Sequence, residues 1–106
     1  MSVNRREKLQ EALREVAAEF LAREASRQSL ITVTRTEVSE KGSRGIIFIS
    51  VLPVEQEGTA LAFANRHLAE LATYFEKRIR GARAPHVEFM LDKGEKNRQR
   101  LDELTK

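Results

Sequence analysis

Leu9, Leu13, Val16 and Phe20, with Ala12 and Ala17 beside them, recur at the three- and four-residue steps of one helical face, and Arg, Glu, Lys and Gln fill the positions between. The spacing predicts an amphipathic helix over about residues 4–25, opened by a capping box of Asn4 with Glu7. The grammar then turns to alternation. ITVTRTEVS sets Ile31 and Val33 against threonines, as a half-buried strand does, and Val38 falls on the opposite parity, which requires either a bulge or its assignment to the turn. After a reversal at Glu40-Lys41-Gly42-Ser43, RGIIFISVL is apolar on both parities: Ile47, Ile49 and Val51 on one face, Ile46 and Phe48 on the other. A strand apolar on both faces belongs at the centre of a sheet.

Pro53 closes that strand and Thr59 is placed to cap a second helix of about 21 residues, marked by Leu61, Leu68, Leu71 or Ala72, Phe75 and Ile79. Gly81 ends it, Pro85 restarts the chain as extended, and Val87, Phe89 and Leu91 alternate with His86, Glu88 and Met90 in a third strand. A tight hairpin makes the first two strands antiparallel, and the helical crossover makes the third parallel to the second. The predicted fold is therefore α+β, a three-stranded mixed sheet with its helices packed on one face. A chain of 106 residues has room for one core, expected over residues 1–92, with residues 93–106 as a polar tail or short helix anchored by Leu101 and Leu104.

Charge and residue chemistry narrow the function. The absence of cysteine removes disulfides, thiolate nucleophiles and thiolate metal sites, and fits a reducing compartment. The start MSVNRREKLQEALRE lacks the apolar core of a signal peptide, and no run approaches the roughly 18 apolar residues of a membrane span, so a cytoplasmic protein with no membrane partner is expected. His67 and His86 have no ligand partner at metal spacing, and no nucleophile elbow, phosphate loop or dinucleotide fingerprint occurs. Neither metal nor cofactor nor catalysis is expected. The net charge of +3 is modest, but Lys77, Arg78, Arg80 and Arg83 crowd the end of the second helix. Such cations either offset the helix dipole or face a phosphate track. Few aromatics are left for base stacking, which favours backbone or shape recognition of structured RNA. A competing reading takes Ile46, Phe48 and Met90 as an apolar sheet face away from the helices, which either stays open and docks a protein partner or is covered by the tail.

In this order of elements the wording resembles the bacterial ribosome-binding factor A family, a type II KH-like domain. The resemblance is carried by Arg5-Arg6-Glu7-Lys8, ITVTRTEVS, IIFISVL, Asn65-Arg66, Ala84-Pro85-His86-Val87-Glu88-Phe89-Met90-Leu91-Asp92 and Arg100-Leu101-Asp102-Glu103-Leu104, and spans nearly the whole chain. It implies a non-enzymatic factor that binds the small (30S) ribosomal subunit and 16S rRNA and assists late assembly and processing of the rRNA precursor; a monomer is expected. In that family an interhelical Ala-x-Gly kink replaces the KH GxxG loop; here the matching positions, next to Asn65, are His67, Leu68 and Ala69, without the glycine, and a bend between Asn65 and Ala69 is expected. Gly42-Ser43-Arg44-Gly45 has GxxG spacing but lies between strands, where its glycines serve the turn. Joined to the charge pattern, the resemblance implies an RNA-facing surface of Arg66, Lys77, Arg78, Arg80 and Arg83, with Arg5, Arg6, Arg98 and Arg100 as secondary contacts.

Overall fold

The computed structural model of the protein describes residues 4–24 and 29–93. In chain order the elements are α1 (Arg5–Glu24), β1 (Leu30–Val38), β2 (Arg44–Leu52), α2 (Glu57–Arg66), α3 (Leu68–Arg78) and β3 (His86–Leu91). The sheet order is β1-β2-β3, with β2 antiparallel to β1 and parallel to β3, so the architecture is the predicted α+β one. The predicted tail, with Leu101, Leu104, Arg98 and Arg100, lies outside the described residues.

α1 opens on the capping box: the Glu7 N–H donates to Asn4 Oδ1 at 2.8 Å and the Asn4 N–H to Glu7 Oε1 at 3.4 Å. Its buried face, Leu13, Val16, Ala17, Phe20 and Leu21, packs on the sheet. The parity of Val38 is settled by a bulge. Val33 pairs with Ile49 and Arg35 with the adjacent Phe48, so Thr34 is the extra residue, and after it Thr36 and Val38 take over the inward face from Ile31 and Val33. Buried Thr36 remains satisfied because its hydroxyl donates to the Gln10 carbonyl at 2.6 Å.

β2 is buried on both sides. Ile47, Ile49 and Val51 meet α1, α2 and α3 through Leu13, Val16, Phe20, Ala60, Ala64, Leu71 and Phe75, with Phe89 from β3 completing the layer. Ile46 and Phe48 form a second cluster with Met90 on the opposite face, and there the expectation of an open apolar surface is corrected: they are 1% and 0% exposed. The Arg35 guanidinium lies 3.9 Å from the Phe48 ring centroid and is ion-paired with Glu37, with Asp92 3.9 Å away. A flat cation covers the ring face while carboxylates meet its edge. The expected cap at Thr59 is also corrected. A 3-10 turn over Val54–Gln56, closed by the Gln56 N–H donating to the Pro53 carbonyl at 2.9 Å, leads straight into α2 at Glu57, so Thr59 already lies within the helix.

The outer edges of the sheet are tied by helix side chains. At β1 the Val38 N–H donates to Gln10 Oε1 at 2.9 Å and Arg6 Nε donates to the Val38 carbonyl at 2.7 Å. At β3 the Phe89 N–H donates to Asn65 Oδ1 at 2.9 Å and Asn65 Nδ2 to the Phe89 carbonyl at 3.2 Å. Each pair stands in for the missing neighbouring strand.

Ile49→Ala, at a fully buried site on the central strand, is expected to cost about 2–5 kcal/mol in denaturant unfolding. A loss below about 0.5 kcal/mol, the range of an ordinary surface substitution, would contradict this packing.

Candidate nucleic-acid interface

The helical run after Pro53 is interrupted at His67, with α2 ending at Arg66 and α3 starting at Leu68. No glycine or proline is needed. The His67 backbone lies at φ −108° and ψ 21°, and its N–H donates to the Ala64 carbonyl at 3.1 Å, three residues back rather than four. The Phe63 carbonyl is met instead by the ring: His67 Nδ1 lies 2.8 Å from it and so carries the hydrogen, with the two rings 4.4 Å apart. The side chain thus replaces the backbone bond that the break removes. Asn65, two residues earlier, grips β3, while Leu68 is half-buried against the core and Ala69 is exposed. These four positions are bound up with the break and the edge of the sheet.

The cations do not gather into one cluster. Lys77 and Arg78, in the last turn of α3, rim a groove of about 410 Å³ between α1 and α3, with Phe20, Arg23 and Tyr74 among its walls. Arg80 and Arg83 are exposed in the connection that follows. Arg66 lies at the end of α2 on a separate groove of about 210 Å³, beside Ile31 and Phe63. Arg5 and Arg6 lie at the start of α1, next to the β1–β2 turn, where Arg6 holds the Val38 carbonyl. Arg98 and Arg100 fall outside the described residues.

Arg78 is the most constrained of these groups. Its Nε and Nη2 donate to Glu19 Oε1 and Oε2 at 2.9 and 2.7 Å, and the Tyr74 hydroxyl donates to Glu19 Oε1 at 2.9 Å. Arg78 first, and Tyr74 second, hold the Glu19 carboxyl below its ordinary titration range, and the same pair raises that of Arg78. The Tyr74 ring lies 5.9 Å from Phe20 and 5.2 Å from the Arg23 guanidinium, so it serves packing and is not presented as a base-stacking platform.

Three cations missed in the sequence reading join these places. Arg23 lies beside Tyr74 and the last turn of α3. Lys41 and Arg44 flank the hairpin turn near Arg5 and Arg6, where a Cβ at Gly42 would come within 3.2 Å of Leu9. No spacing could have found them, because the docking of α1 on the sheet creates the proximity. Among the described residues no group of three or more His, Cys, Asp or Glu side chains could hold a metal ion, and no helix is long and apolar enough to cross a membrane.

The family model for ribosome-binding factor A matches residues 5–105. The chain belongs to the ribosome-binding factor A family. A ribosome-binding factor A of Natranaerobius thermophilus is 28% identical over 109 aligned positions, covering 100% of this chain and 83% of that one. The crystal structure of ribosome-binding factor A from Thermus thermophilus has the same fold, with a TM-score of 0.72 at 24% identity over 83% of this chain and 97% of the other. A homology model of the Thermus thermophilus factor, fitted into a cryo-EM map of a 30S complex, gives a TM-score of 0.69 at 27% identity over 78% of this chain and 90% of that one. Within the family fold, this chain makes its interhelical break at His67, with neither glycine nor proline at that position.

Two outcomes are expected. Asn65→Ala leaves the Phe89 N–H and carbonyl unpaired at the sheet edge; it should cost about 1–3 kcal/mol and speed hydrogen exchange at the Phe89 amide more than elsewhere in β3. The Glu19–Arg78 pair makes stability pH-dependent in a defined sense. Because the folded carboxyl titrates below the unfolded one, its contribution is complete above the unfolded glutamate value of about 4.3 and is lost as pH falls through the folded value. The melting temperature of Glu19→Gln should lie below that of the parent protein near neutral pH, and the gap should close on acidification towards about pH 2.

Proposed function

We propose that this chain is a non-enzymatic maturation factor that binds the small (30S) ribosomal subunit and 16S rRNA, acts as a cytoplasmic monomer, and assists late subunit assembly and processing of the rRNA precursor. The observation that carries the reading is the family match along residues 5–105, together with the 30S complex of a relative with the same fold. The surface chemistry agrees with it. Lys77, Arg80 and Arg83 are exposed around the end of α3, where phosphate oxygens can reach them without opening the core. Aromatic rings are spent on packing, which favours recognition of backbone and shape over stacking on single-stranded bases. A protein-docking role for the Ile46, Phe48 and Met90 face has little support, since the first two offer almost no accessible surface.

Comigration with purified small subunits on a low-salt gradient tests the assignment, and a protein that stays at the top of the gradient would refute it. For the surface, Lys77→Ala combined with Arg80→Ala should lower the slope of log affinity against log salt by up to roughly 1.5, with little change in sequence preference. An unchanged slope in a folded variant would remove these two residues from the interface.

A further inference from the structure

Arg78 meets Glu19 sideways. The bonds from Nε and Nη2 occupy one edge of the guanidinium, beside the Tyr74 hydroxyl, while Nη1 and the outer N–H of Nη2 take no part in the bonds to Glu19. Those remaining groups form the end-on fork that matches two oxygens of a phosphate. The side chain is 48% exposed, so the fork is accessible, and Glu19 is itself held by the Tyr74 hydroxyl, whose ring is wedged between Phe20 and Arg23. A flexible arginine has thus been given one direction. We propose that Arg78 is a preorganised fork for a single RNA phosphate, with Glu19 and Tyr74 as its positioning residues.

The inference rests on the RNA-binding reading above and sharpens it. Lys77 and Arg23 flank the fork on the same groove and add positive charge, whereas Glu24 and Glu70 on its rim oppose a second phosphate. The fork therefore takes a single phosphate of its own, apart from those that Lys77 and Arg80 meet around the end of α3. The role given to Glu19 runs against simple electrostatics, because removing an acid beside a polyanion site ordinarily tightens binding. If Glu19 orients the fork, its loss instead returns Arg78 to many rotamers, and ordering them on binding weakens affinity.

The experiment measures binding to purified small subunits at several salt concentrations for the parent protein, Arg78→Ala, Arg78→Lys, Glu19→Gln, Tyr74→Phe and the Glu19→Gln/Arg78→Ala double variant, each checked for folding by circular dichroism. Arg78→Ala should lower the salt slope by about 0.7–0.9, the loss of one phosphate contact. Arg78→Lys should keep most of the slope yet bind more weakly, having the charge without the fork. Glu19→Gln should bind about three- to tenfold more weakly with the slope retained, and Tyr74→Phe should shift the same way by less. The double variant should be no weaker than Arg78→Ala alone, a coupling that general destabilisation would not produce. Binding of Glu19→Gln as tight as the parent or tighter, while Arg78→Ala lowers the slope, overturns the positioning role and leaves the RNA surface standing. An unchanged slope for Arg78→Ala overturns the fork itself, and failure of the parent protein to bind subunits overturns the fork and the functional reading together.

Discussion

The two-sided burial of β2 is the constraint from which the rest of the structure follows. A strand with Ile47, Ile49 and Val51 on one face and Ile46 and Phe48 on the other must be covered twice and paired on both edges. The helices supply one cover. On the second face Met90 packs against Ile46 and Phe48, and Arg35, tied to Glu37, lies over the Phe48 ring. The bulge at Thr34 makes this possible. It lets one strand present Ile31 and Val33, then Thr36 and Val38, to the helices while aiming Arg35 at the other face.

A sheet of three strands has two edges close to its centre, and both are managed by the same device. Gln10 and Arg6 satisfy Val38 on β1, and Asn65 satisfies Phe89 on β3. These contacts also fix where the helices sit. With α1 held at its start by Val38 and α2 at its end by Phe89, the break at His67 lies at the sheet edge, and α3 sets out from there across the core. The last turn of α3 then arrives beside Glu19 and Arg23 of α1, which brings basic groups from distant parts of the chain to one groove. The cationic surface is a consequence of sheet-edge chemistry as much as of local composition.

The order of elements, the strand parities, the capping box and the hairpin turn were legible along the chain because each rests on contacts among near neighbours: helical or alternating periodicity, Asn4 with Glu7, and Gly42 at φ 73°. The crowding of cations at the end of α3 was equally visible, as was the place of the interhelical break, although the break needed a resemblance to point to it. Residue chemistry alone did not, since His67 ends a helix here only by lending its ring to the Phe63 carbonyl. Tertiary structure decided which way the parity of Val38 was resolved, that α2 starts before Thr59, that Ile46 and Phe48 are covered, and that Arg78 is committed to a glutamate 59 residues away. Each of these depends on a partner far away in sequence or on backbone hydrogen bonds in competition, and periodicity carries no information about either. A sequence records which side chains are apolar or charged; which charge meets which is set only when α1 and α3 come to rest on the same sheet.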